Sequence, residues 1–154
     1  MDVKIVEFPE TRVAAIEHHG PPELEHETAR RFIEWRKSQG IKPDGARTYG
    51  LHYDDSFNTP PEDHRVELCV TFDAPVAPNP QGVVNKVLPA RRCAVARYVG
   101  PRDHIPVAAE LVEKWLPSSG EKFGGFPMIF HYVNVGPNVK PSEMITDVYL
   151  PLQS

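Results

Sequence analysis

Two apolar segments, Val3 to His19 and Val84 to Val99, are dense in β-branched and small apolar residues. Each is interrupted by one proline, Pro9 or Pro89, and each ends at Gly-Pro. They predict long strands with a bulge or bend. A helical stripe follows each. Leu24, Thr28, Phe32 and Trp35 make the first, with Glu23, Glu25 and Glu27 near its start and Arg30, Arg31, Arg36 and Lys37 further on, as the helix dipole favours. Gly40 stops it. Ile105, Ala108, Val112 and Trp115 make the second, which has Pro106 near its first turn and ends at Leu116-Pro117-Ser118-Ser119-Gly120. Two strands then close each half: Thr48 to Asp54 with Arg65 to Phe72, and Met128 to Val135 with Met144 to Leu150.

The two halves are copies. At an offset of 80, residues 9–21 lie over residues 89–101, and five of thirteen positions coincide: Pro9, Arg12, Ala14, Gly20 and Pro21 with Pro89, Arg92, Ala94, Gly100 and Pro101. Unrelated segments match at roughly one position in fifteen. The same offset aligns Trp35 with Trp115, Gly40 with Gly120 and Gly45 with Gly125, while a shift of one residue superimposes Leu51-His52-Tyr53 on Phe130-His131-Tyr132. The expected fold is α+β: tandem duplicated β-α-β-β units with pseudo-two-fold symmetry, antiparallel sheets with helices packed on them, and a central ligand cleft. Repeat 1 covers about 1–76 and repeat 2 about 83–154, joined by the proline-rich linker at about 73–82.

At 154 residues, with two fifths apolar and a quarter charged, the chain fits one globular ligand-binding domain. A net charge of −4 without any basic run disfavours direct contact with nucleic acid. No segment has the apolar length of a signal peptide or membrane span, so a cytoplasmic protein is expected. Cys69 and Cys93 sit in apolar strands and read as reduced, buried residues. The seven histidines show no ligand spacing, and no nucleophile elbow or phosphate loop occurs. Neither a metal nor a cofactor is expected.

Leu51-His52-Tyr53-Asp54-Asp55, Thr59-Pro60-Pro61-Glu62, Arg65-Val66-Glu67-Leu68-Cys69-Val70, Trp115 to Gly120, and Thr146-Asp147-Val148-Tyr149-Leu150-Pro151-Leu152 resemble the gyrase-inhibitor-like small-molecule-binding family. The same module forms the effector-binding half of some multidrug-responsive and AraC-type transcription regulators. The resemblance runs from about Val3 to Leu152. It implies the duplicated fold and a pocket for amphipathic compounds, often cationic. Possible partners on this basis are DNA gyrase or a separate transcription regulator, and a subgroup of the family hydrolyses cyclopropane-containing toxins. The family's second half carries Phe-Glu-x-Tyr, with a buried glutamate for a ligand cation. With its tyrosine on Tyr132, Phe130 stands where that glutamate would be.

The expected ligand-binding residues are therefore mainly aromatic: Trp35 and Trp115 from the helices, Tyr49 and Tyr53 from the first half, and Phe130 and Tyr132 from the second, with Met128 beside them. Alternation puts Met128, Phe130 and Tyr132 on one face, and Tyr49, Leu51 and Tyr53 likewise on one face. Glu67 and Asp147, equivalent positions in the closing strands, are the candidate carboxylates. Glu17 is matched by the repeat to Arg97, so one half offsets the charge of the other.

Overall fold

The computed structural model describes residues 1–53 and 59–154; Asp54 and Asp55 of the resemblance motif lie outside them. The first half comprises β1 (Val3–Phe8), β2 (Thr11–His19), α1 (Glu25–Ser38), β3 (Thr48–His52) and β4 (Arg65–Thr71). The second comprises β5 (Val84–Leu88), β6 (Arg91–Val99), α2 (Pro106–Glu110), β7 (Met128–Tyr132) and β8 (Ile145–Pro151). A π-helical turn, Leu111–Trp115, and a short α3, Leu116–Ser119, prolong α2. Each expected long strand is divided in two at its proline, because proline cannot donate to a ladder and so releases the chain from it.

All eight strands form one antiparallel sheet in the order β1-β6-β8-β7-β3-β4-β2-β5. The halves exchange their first strands: β1 pairs with β6, and β5 pairs with β2. The sheet is continuous through β3 and β7, where Gly50 faces Phe130, Tyr49 faces His131 and Leu51 faces Ile129. This register places the pseudo-two-fold axis at the Gly50–Phe130 pair, so Leu51 corresponds to His131 and the offset of 80 holds throughout. The one-residue shift read from the Leu-His-Tyr and Phe-His-Tyr triplets is not realised. An odd shift would turn every side chain of the strand to the opposite face.

The exchange curls the sheet. In a flat sheet β1 and β2 would lie six strand spacings apart, roughly 29 Å. The three Cα steps from Phe8 to Thr11 reach about 11 Å at most. The sheet must bend until its ends approach, and Phe8 accordingly packs edge-on against both Tyr49 of β3 (5.7 Å between ring centroids) and Tyr149 of β8 (5.2 Å).

Among the described residues, helices cover only the convex side. Phe32 and Trp35 of α1 pack with Ala14, Ile16 and Val70, while Val107 of α2 and Leu111 of the π-helical turn pack with Ala94, Ala96, Met128, Phe130, Val148 and Leu150. The concave side has its own core, made by strand residues alone: Phe8, Val13, Ala15, Tyr49, Leu51, Cys69, Leu88, Cys93 and Ile129. Both cysteines are free and buried there. Burial pushes the Cys69 thiol well above its ordinary range and the Cys93 thiol up to about 11, which makes them inert. No helix among the described residues is long and apolar enough to cross a membrane.

At the axis the convex face has no room for a side chain on Gly50. A Cβ there would lie 2.5 Å from Tyr132 Oη and 3.0 Å from two ring carbons. Gly50→Ala is expected to lower the melting temperature by roughly 3–10 °C, corresponding to about 1–3 kcal/mol of overpacking. Gly45→Ala, whose Cβ would meet nothing closer than 3.4 Å, should leave it nearly unchanged. Thermal denaturation of the two variants checks both.

Candidate functional site

Strand alternation sorts the expected site residues onto two sides of the sheet. On the convex side, Trp35 is buried, stacked on Phe32 (6.2 Å) and edge-on to Phe72 (5.3 Å). Trp115 is half-buried against the second-half core, which Met128 and Phe130 join and Tyr132 flanks. Phe130 stacks on His52 at 4.1 Å, and the Arg102 guanidinium lies 5.1 Å from the Tyr132 ring. Burial pushes the Tyr132 hydroxyl up to about 12. The backbone of the sheet separates these five side chains from Tyr49, Tyr53, Glu67 and Asp147, so the two groups cannot line one pocket. From β7, the concave face receives Ile129 and His131 rather than Phe130.

The concave face carries two polar clusters at equivalent places in the halves, and they differ. Asp147 faces Arg97 across β6 and β8, and accepts hydrogen bonds from Arg97 Nε at 2.8 Å and Nη2 at 3.0 Å. In the first half the equivalent pair is Glu17 and Glu67, two carboxylates directly opposite on β2 and β4. Such a pair is destabilising unless each finds a cation. Arg65 Nε donates to Glu17 at 2.8 Å, and Lys86, contributed by the exchanged strand β5, reaches Glu67. Tyr53 completes the cluster: its hydroxyl donates to Glu67 and accepts from Lys86 Nζ at 2.6 Å, and the Arg65 guanidinium lies 4.1 Å from its ring centroid. Burial and the bond to Glu67 raise the Tyr53 pKa. Burial works against the Lys86 ammonium, but its bonds to Glu67 and Tyr53 carry its pKa above the ordinary value.

At one end of the β3–β7 junction, loops from both halves enclose a cleft of about 910 Å³. Residues 43–47 form one wall and residues 133–139 the other, with Thr71 and His131 on its floor. The walls are anchored by two arginines whose pKa values burial lowers. Arg36 donates to Thr48 Oγ1 (3.0 Å) and to the carbonyls of Lys42 (3.5 Å) and Pro43 (3.4 Å). Arg102 donates to Thr146 Oγ1 (2.9 Å), Asn134 Oδ1 (3.2 Å) and the Ile145 carbonyl (2.6 Å). Tyr49 stands behind the floor, 5.0 Å from the His131 ring. Burial lowers the His131 pKa, with Asp147 opposing and Arg47, Arg97 and Arg102 reinforcing. The imidazole is therefore neutral near pH 7 and can both donate and accept.

Reading the strands one at a time did not bring out Lys86 beside Glu67, the cleft walls or the place of His131 on the cleft floor. Lys86 did leave a signal, since it alternates with Val84 and with Leu88, a core residue of the concave side. His131 resembled a repeat mate of His52 only because of the one-residue shift. Among the described residues, no three His, Cys, Asp or Glu side chains gather to hold a metal ion.

Comparison with known proteins agrees with this architecture. A family described as GyrI-like small molecule binding domain matches residues 1–153. The chain is 40% identical over 154 residues to the probable transcriptional regulator YgiV of Escherichia coli K12, covering 99% of this chain and 96% of that protein. Among solved structures, the EcmrR C-terminal domain superposes with a TM-score of 0.74 at 16% identity, covering 99% of this chain and 98% of that one. In the EcmrR–DNA complex the TM-score is 0.77, and the chain spans 57% of the EcmrR chain. SAV2435 bound to tetraphenylphosphonium superposes with a TM-score of 0.59 at 12% identity, covering 100% of this chain and 95% of that one. With a family match over nearly its whole length and a close full-length relative, this chain belongs to the GyrI-like small-molecule-binding domain family.

Proposed function

We propose that the chain captures an amphipathic small molecule in the cleft between its two repeats and that binding serves as a signal to a transcription regulator. The observation that carries the reading is the cleft itself. Its two walls come from different repeats, and its volume of about 910 Å³ falls in the range of small-molecule sites. The lining mixes apolar groups (Pro43, Val133, Val135, Pro137, Val139) with a few polar ones (Asp44 and Arg47 on a wall, Thr71 and His131 on the floor). Such a lining orients an amphipath by its polar end while burying the rest. Likeness to a protein named a probable transcriptional regulator supports the signalling role. Hydrolysis is less favoured, because Glu67 and Asp147 are each already engaged by a cation of the chain.

Binding is expected to be visible as a ligand-dependent rise in melting temperature and as shifts of amide resonances from residues 43–47 and 133–139. Trp35 fluorescence should respond as well, since Ala46 of the cleft wall packs against the cluster that contains Trp35. Val139→Trp, which fills the cleft, should weaken binding about ten-fold or more at an unchanged fold. Retention of wild-type affinity in that variant would place the ligand elsewhere.

The half-buried imidazole gives binding a pH signature. A ligand that contacts neutral His131 binds fully above the ordinary histidine value of about 6.5, and its affinity declines as pH falls through the lowered value. Titration of affinity between pH 8 and pH 5 should show this decline, and His131→Asn should flatten it.

A further inference from the structure

We propose that Tyr53 and Glu67 form a binding site for a primary ammonium group, occupied from within by the side chain of Lys86. The proposal rests on the reading of this domain as a small-molecule binder, but concerns a different place, at the opposite end of β3 from the cleft.

The site is built from three observations. The Glu67 side chain is only 8% exposed, yet it faces Glu17 across the strand pair, so it requires a cation close at hand. The pair could have been neutralised across the strands, as Asp147 is by Arg97, but the residue at the Arg97 position in the first half is Glu17. The cation comes instead from β5, and Ala15, which lies on β2 between the Lys86 partner Val13 and Glu17, presents only a methyl group along its path. The ammonium is also held in the manner of a ligand. It donates to the Glu67 carboxylate and to Tyr53 Oη at 2.6 Å, so a carboxylate and a phenol oxygen both address one nitrogen. Two hydrogen bonds to that nitrogen select an ammonium that bears N–H donors over a quaternary one. The Lys86 side chain is 32% exposed, so the site opens to solvent once it moves aside.

Position 86 has Val6 as its repeat mate, and Tyr53 has Val133, a wall residue of the cleft. The corresponding place in the second half therefore lacks both the phenol and the lysine. The two ends of the concave face thus offer different chemistry: a mixed cleft at one, and at the other an ammonium site that carries its own tethered occupant. In the wild-type chain an external alkylammonium competes with Lys86 at an effective concentration set by its covalent attachment. Binding of such amines is correspondingly weak, and removing the lysine unmasks it.

The test compares 3-phenylpropylammonium with the neutral 3-phenylpropan-1-ol, by calorimetry and thermal shift, on wild type, Lys86→Ala and Lys86→Ala/Glu67→Gln. Lys86→Ala is expected to melt several degrees lower than wild type, because Glu67 loses its counter-ion. It should bind the ammonium about ten-fold or more tighter than wild type does, and regain melting temperature as the amine is added, with no comparable change for the alcohol. The added Glu67→Gln exchange should abolish that gain. If Lys86→Ala does not fold, Lys86→Gln replaces it, keeping a donor for Glu67 without the charge. The proposal is overturned if the uncharged variant binds the ammonium no better than wild type, or if the gain persists without the Glu67 carboxylate. Val139→Trp alters the cleft and none of Tyr53, Glu67 and Lys86, so it tests the cleft alone and the two readings can fail separately.

Discussion

The structure depends on the exchange of first strands between the repeats. Each exchange is forced by a junction of two residues, Pro9-Glu10 and Pro89-Ala90, that leads from one half's ladder to the other's. Because those junctions are too short to span a flat sheet, the sheet curls, and its curl creates two environments from one set of strands. The convex side is an ordinary helix-on-sheet interface. The concave side is closed by residues such as Phe8 and Leu88, which sit at the exchanged strands' ends and pack into a core no helix touches. Neither repeat could assemble that core alone, since each depends on a strand of the other.

The same exchange settles the electrostatics. Duplication placed carboxylates at Glu67 and Asp147, but divergence at the facing positions left one opposite an arginine and the other opposite a glutamate. In the second half the ion pair closes locally between adjacent strands. In the first half it closes only because β5 brings Lys86 from the other repeat. A fold symmetric in backbone thus presents asymmetric chemistry at its two ends, with His131 and the cleft at one and the Tyr53–Glu67–Lys86 cluster at the other.

Much of this architecture is legible in the chain. The offset of 80, the two helical stripes, the strands and the turns all follow from periodicity and from proline and glycine placement, because these are properties of neighbouring residues. The GyrI-like resemblance rests on the same local motifs. The triplets Leu51-His52-Tyr53 and Phe130-His131-Tyr132 misled for an instructive reason: sequence likeness cannot detect parity, whereas hydrogen-bonded register can, and one residue decides which face a side chain takes.

The sequence by itself determined the elements, their duplication and the alternation that groups Tyr49 with Tyr53 and Phe130 with Tyr132. Tertiary structure alone decided that these groups stand on opposite sides of one sheet, that Trp35 and Trp115 serve the convex side, and that Lys86 belongs to Glu67. The physical reason is that strand pairing is non-local. Pattern along a chain says that a strand has two faces, but which face meets the other repeat depends on register, strand order and curl, and those are fixed only when distant segments hydrogen-bond.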